Sequence, residues 1–120
     1  MCGGRDWRMT KLAAEWLDAT LWEINPHRIL HGAARGADVQ AAEVASREFP
    51  DIIEAFPADW KTHGKSAGPI RNREMLNSAM KDGAEVFVLA FPGGIGTANM
   101  CVIAAKQGAT IRAYTEVPAP

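Results

Sequence analysis

Four glycine-bearing segments carry the residues whose types and spacing could do chemistry. The most distinctive is Ala90-Phe91-Pro92-Gly93-Gly94-Ile95-Gly96-Thr97, which leaves an apolar run and opens a helical pattern. Glycines at such a turn admit positive φ and let a ligand approach the backbone. The first N–H groups of the helix have no internal partner, and the helix dipole adds partial positive charge. That is the chemistry of an anion cradle suited to phosphate. Pro92, Gly93, Gly94 and Gly96 would form it, and Thr97 would cap the helix or donate its hydroxyl to a phosphate oxygen. A plain glycine turn with Thr97 as N-cap is the purely structural alternative.

The second segment is Gly32-Ala33-Ala34-Arg35-Gly36-Ala37-Asp38, between a strand and a helix. Gly32 and Gly36 offer a second backbone surface, and Arg35 could hold an anion bidentately. Asp38 serves either a ligand or simply the helix dipole. His31, just before, reads as a packing or hydrogen-bonding residue more readily than as a catalyst. The third segment, Trp60 to Met75, sets Lys61, His63, Lys65, Arg71 and Arg73 against one acid, Glu74. Such a cluster suggests a bound anion, with Lys65, Arg71 and Asn72 as its expected contacts. Arg71 is expected in the first turn of its helix, where a cation opposes the dipole unless a phosphate or Glu74 compensates. Trp60 reads as cover for the core edge in preference to a base-stacking ring, and Lys61 and Arg73 as surface charges. The fourth segment is Gly3-Gly4-Arg5-Asp6: a close-approach turn, a cation that could reach an anion, and an N-cap candidate in Asp6.

One domain must position these segments. The 120 residues are 48% hydrophobic and 22% charged, normal for a soluble globular chain. Residues 1–116 are expected to form that single domain, with a loose tail at 117–120. No apolar run approaches a membrane span, and the start lacks the pattern of a secretory signal. The net charge of −1 argues against a broad face for duplex nucleic acid. Cys2 and Cys101 lack metal-ligand spacing and read as reduced thiols of a cytoplasmic protein, with no metal.

Periodicity supplies the elements. Apolar steps of three and four predict helices over 9–24, 37–49, 69–82 and 97–107. Short apolar runs predict strands over 28–31, 52–56, 85–91 and 110–114, and 57–68 reads as a long polar loop. Alternating strand and helix means an open parallel α/β sheet, whose ligands bind at the carboxyl ends of the strands. All four segments fall in loops at those ends.

The stretches CGGRDW, HGAARGAD, FPADW…GKSAGPIRNREM and FPGGIGTANM, in this order, resemble the SLOG superfamily, specifically its small bacterial and phage members related to YspA and cpYpsA. The resemblance implies a three-layer Rossmann-like fold with helices on both faces of the sheet. It also implies a nucleotide or nucleotide-derived ligand, such as one related to ADP-ribose or NAD, held by a sensor or binding domain. Related proteins often pair, so a homodimer is among its implications. Distant kin are DNA-processing protein A and the Lonely Guy-type phosphoribohydrolases, which cleave nucleoside monophosphates at the N-glycosidic bond. Their signature PGGxGTxxE ends in a catalytic Glu, and here Met100 stands at that position. A thioether cannot shuttle a proton or support an oxocarbenium-like sugar. Arg71 matches the family's arginine, and Glu74, Asp38 or Asp6 are the acids left to substitute. The departure favours a binding domain over a hydrolase.

A further departure concerns the start. The family's first strand precedes the CGGRD segment, whereas only Met1 and Cys2 precede Gly3. A strand needs about five residues, so the first strand is expected to be truncated or missing, through an upstream start or a gapped sheet. Two other readings stay open. Gly94-x-Gly96 with Glu116 is a weak dinucleotide-oxidoreductase fingerprint, spoiled by Asn99 at the third glycine position. A scaffold whose glycine turns are only structural is the other.

Overall fold

The computed structural model describes residues 1–116, so the expected tail at 117–120 lies outside the described residues. In chain order the elements are α1 (Lys11–Ile24), β1 (Ile29–His31), α2 (Ala37–Ser46), β2 (Ile53–Ala55), α3 (Trp60–His63), α4 (Ala67–Met80), β3 (Phe87–Ala90), α5 (Ile95–Lys106) and β4 (Thr110–Ala113). A 3₁₀ turn over Gly64–Ser66 joins α3 to α4. The chain is a mixed α/β protein with short parallel strands.

Local chemistry explains the boundaries. Thr10 caps α1, its hydroxyl accepting from the Ala13 N–H, so the helix starts two residues later than its apolar pattern suggests. Asp6, the expected N-cap, sits in an exposed turn instead. Asn25 ends α1 in the left-handed conformation at φ 51°, its N–H donating to Leu21 O. The expected long loop 57–68 is shortened by α3, which Asp59 caps through Thr62 N–H, and α4 begins at Ala67. Pro69 then falls among the first helical residues, whose N–H groups lack partners in any case.

The strands form two parallel pairs. Ile29 opposes Ile53 in the first, and Phe87 opposes Thr110 in the second. The single open sheet expected is thus divided, and among the described residues only Met1 and Cys2 span the gap. Cys2 N–H donates to Leu89 O at 3.0 Å, and its carbonyl accepts from Phe91 N–H at 2.8 Å. On the other side the Met1 ammonium donates to Leu30 O at 2.7 Å. Two residues reach only the carboxyl end of the gap. At the amino end, a largely apolar slot of about 460 Å³ lies between β1 and β3, walled by Ile29, Leu30, Phe87, Val88 and Met75 among others.

Side chains of β3 alternate between two cores, as its pleat requires. Leu89 and Phe91 face α1 and α2, packing with Leu17, Leu21, Ala41 and Val44. Val88 and Ala90 face α4 and α5, packing with Met75, Leu76, Met100 and Ala104. Burial on both faces accounts for the nearly continuous apolar sequence of this strand. Trp7 stacks on Phe91 with ring centroids 4.9 Å apart, which pins the segment after Gly4 to the core.

Candidate anion-binding site

Three of the four loops meet at Gly4. Its N–H donates to Pro92 O at 2.9 Å, and its carbonyl accepts from Ala37 N–H at 3.0 Å. The contacts are too close for side chains. A Cβ on Gly93 would lie 2.3 Å from Thr97 Oγ1 and 2.7 Å from Gly4 N. Gly36 has φ +83°, and a Cβ there would lie 2.3 Å from the Arg5 carbonyl oxygen. Gly3 and Gly4 line the same seam.

The third loop is tied in by Arg71 and Asn72. Arg71 Nη1 donates to the carbonyl oxygens of Gly32 and Phe56, and its Nε donates to Asn72 Oδ1 at 3.0 Å. Asn72 Nδ2 donates to Gly96 O at 3.2 Å and to Asn99 Oδ1 at 3.0 Å. Because α4 starts at Ala67, Arg71 opens its second turn and not its first. The pairing of Arg71 with Glu74 is not formed. Burial pushes the pKa of the Arg71 guanidinium below its ordinary value.

Gly94, not Thr97, is the N-cap of α5, and the Thr97 hydroxyl turns back toward Gly93. The N–H groups of Ile95, Gly96 and Thr97 precede the first helical bond, from Ala98 N–H to Gly94 O. Gly94 and Gly96 border open space, where added Cβ atoms would meet nothing within 4 Å.

Beside this seam lies a cavity of about 340 Å³, lined by Arg5, Gly32, Ala33, Ala34, Arg35, Pro57, Ala58, Trp60 and Arg71. Its volume is at the lower end of the roughly 300–1,000 Å³ of small-molecule sites. Arg35 touches Asp6 at 3.4 Å, with both side chains largely in solvent, a contact of little strength. Among the described residues, neither Arg5 nor Arg71 has an acid within ion-pair distance. Gly93, Gly94 and Gly96 are not part of its wall.

Asp38 is buried beneath it. Its Oδ2 accepts from Ala34 N–H at 3.4 Å, while Oδ1 has no partner among the described residues. Burial raises its pKa, opposed by the Met1 ammonium and Arg71. His31 accepts from Ala33 N–H at Nδ1, 3.1 Å away, and burial lowers its pKa. Lys65 is exposed in the 3₁₀ turn, apart from the group. Met100 is 3% exposed and packs in the core with Cys2 and Met75. Burial also pushes the Cys2 thiol up to about 12. Among the described residues no three metal-ligating side chains gather, and no helix is long and apolar enough to cross a membrane.

Sequence reasoning missed two features of the cavity. Trp60 does not cover the core edge: it is 48% exposed and lines the cavity, with the Arg5 guanidinium 4.9 Å from its ring centroid. The signal for it was Asp59, a good capping residue type immediately before an indole and a cationic run. Ala33 adopts a left-handed backbone at φ 56°, a strain of about 1–2 kcal/mol for a residue with a Cβ, and nothing in its residue type signals that.

A family model described as the YspA, cpYpsA-related SLOG family matches residues 1–63. That span contains the Gly3–Asp6 and Gly32–Asp38 segments, Trp60 and the start of the cationic run. The Gene 61 protein of Mycobacterium phage D29 is 38% identical over 96 residues, covering 75% of this chain and 73% of the phage protein. No solved structure matches the chain.

Proposed function

The chain belongs to the YspA, cpYpsA-related SLOG family, and from that premise we propose that it binds a nucleotide or nucleotide-derived phosphorylated ligand at the carboxyl ends of its strands. The observation that carries this reading is the cavity at those ends, whose wall holds Arg5, Arg35 and Arg71 in a chain of net charge −1. Arg5 has no carboxylate within ion-pair distance among the described residues and Arg35 has only an exposed contact with Asp6, so both guanidinium groups are suited to bidentate phosphate oxygens, and Arg71 adds charge beside them. The free N–H groups that open α5, next to the seam, add a second anion-favouring surface.

The same reading treats the two strand pairs, joined through Met1 and Cys2, as one open Rossmann-like sheet with α1 and α2 on one face and α4 and α5 on the other. Strand order would then run β2, β1, Met1–Cys2, β3, β4, with the ligand at the switch point beside Gly4. The protein would act as a cytoplasmic sensor or binding domain. The seating of Met100 in the core supports binding over glycosidic hydrolysis, because that helix position directs its side chain away from the cavity.

The test is native mass spectrometry of freshly purified protein together with thermal shift. We expect a carried-over nucleotide, or a rise in melting temperature with at least one of ADP, AMP, NAD and ADP-ribose. A ligand-free spectrum with no shift by any of these would overturn the reading.

A further inference from the structure

We propose that the Trp60 ring is the platform for a heteroaromatic base, which makes the cavity's ligand a nucleoside diphosphate or polyphosphate in preference to inorganic phosphate or a sugar phosphate. The inference rests on the nucleotide-binding reading above and adds to it the residue that seats the base and a chain of two or more phosphates.

The other aromatic side chains have apolar company. Trp7, Trp16, Phe91 and Tyr114 pack on one another, and the exposed Trp22 leans on Phe49. Trp60 has neither arrangement. It stands on a one-turn helix with no buried residue, and its ring faces a cavity otherwise walled by three arginines, small loop residues and Pro57. An indole in a cationic pocket matches a ligand with one planar end and one anionic end.

The partner on its face supports this. The Arg5 guanidinium lies 4.9 Å from the ring centroid, a planar cation in the place a stacked base would occupy. Arg5 has no carboxylate within ion-pair distance among the described residues. Phosphate entering the cavity therefore competes for this guanidinium without first having to break an ion pair. Once drawn to phosphate, Arg5 uncovers the ring for the base. Arg71 makes its hydrogen bonds through Nε and Nη1, which leaves Nη2 to meet a phosphate oxygen. Guanidinium groups at Arg5, Arg35 and Arg71, on three separate segments, exceed what a single phosphate requires.

Calorimetric titration of wild type, Trp60→Phe and Trp60→Ala tests the inference. The probes are ADP, GDP, CDP, UDP, inorganic pyrophosphate and ribose 5-phosphate, with circular-dichroism melts to verify folding. At least one nucleoside diphosphate is expected to bind wild type about tenfold more tightly than pyrophosphate. Trp60→Ala should lose that preference while keeping its pyrophosphate affinity, and Trp60→Phe should retain most of it. Pyrophosphate binding without any nucleoside preference, or a preference that survives Trp60→Ala, overturns the role of Trp60 alone. Failure of every probe to bind wild type overturns the anion-binding reading as well.

Discussion

Arg71, on α4, donates to the carbonyl oxygen of Gly32, the first residue after β1. The same nitrogen reaches Phe56 O at 3.3 Å, after β2. One side chain thus closes the ends of two neighbouring strands and also lines the cavity. Arg71→Ala should lower stability by about 1–3 kcal/mol, the usual effect of leaving buried acceptors unpaired, and should weaken pyrophosphate binding. Arg71→Lys should restore charge but not the second arm of the guanidinium, whose Nε holds Asn72 Oδ1 while Nη1 reaches the two carbonyls. Urea unfolding and pyrophosphate titration of both variants check this; a Lys variant equal to wild type in both would refute it.

The glycines of the Pro92–Thr97 loop divide into two groups. Gly93→Ala should destabilise the fold, since its Cβ would collide with Gly4 N and Thr97 Oγ1. Gly96→Ala lies inside α5 with open space around it, so it should stabilise the helix by about 0.5–1 kcal/mol. If ligand phosphate approaches this backbone, Gly94→Ala and Gly96→Ala should nevertheless weaken nucleotide binding. Thermal melts and titrations measured side by side would separate the two effects, and unchanged affinity in both variants would mean that this turn is only structural.

Met100→Glu should not create a hydrolase. The position is 3% exposed within the α4–α5 core, where an unpaired carboxylate costs several kcal/mol or stays protonated. Met100→Leu should be tolerated to within about 1.5 kcal/mol. Free base released from nucleoside monophosphates by a well-folded Met100→Glu protein would contradict this.

His31 makes stability pH-dependent in a defined direction. Its folded pKa is depressed below 6.5 by burial, with the Met1 ammonium and Arg71 acting the same way and Asp38 opposing them. As pH falls below 6.5, the unfolded chain therefore binds this proton first, and stability is lost until pH passes the lower folded pKa. Protonation at Nδ1 also removes the acceptor of Ala33 N–H. Asp38 has the opposite sign: its raised pKa makes stability fall as pH climbs above 3.8. Urea midpoints at pH 7.5 and 5.5 should differ more in wild type than in His31→Gln. The same difference in both proteins would remove His31 as the cause.

The slot between β1 and β3 predicts a response to added chain. The pairing of β1 with β2 and of β3 with β4 turns alternate residues away from those partners, so Leu30 N–H and Leu89 N–H face the slot. Extended apolar residues placed ahead of Met1 would pair with both edges and cover the apolar wall. Such a chain should melt several degrees higher than one beginning at Met1. Equal melting temperatures would show that the slot does not accept a strand.

Much of this was legible from residue order. Periodicity located the four long helices because each buries a stripe, and it located β3 because both faces of that strand are covered. Glycine spacing found the seam around Gly4, where backbones approach too closely for a Cβ. What stayed hidden depends on contacts between segments. Nothing local shows that Arg71 turns toward strand-end carbonyls or that Met100 seats in the core. The starts of α4 and α5 were displaced because glycine and small residues extend a helix when tertiary contacts favour it, against their propensity.

The ammonium of Met1 on Leu30 O has a practical consequence for anyone preparing this protein. An affinity handle fused ahead of Met1 would place its last residues against Leu30 O and feed foreign chain into the seam between the strand pairs. Purified that way, the molecule would report the behaviour of its tag along with its own, in melting and in ligand titration alike.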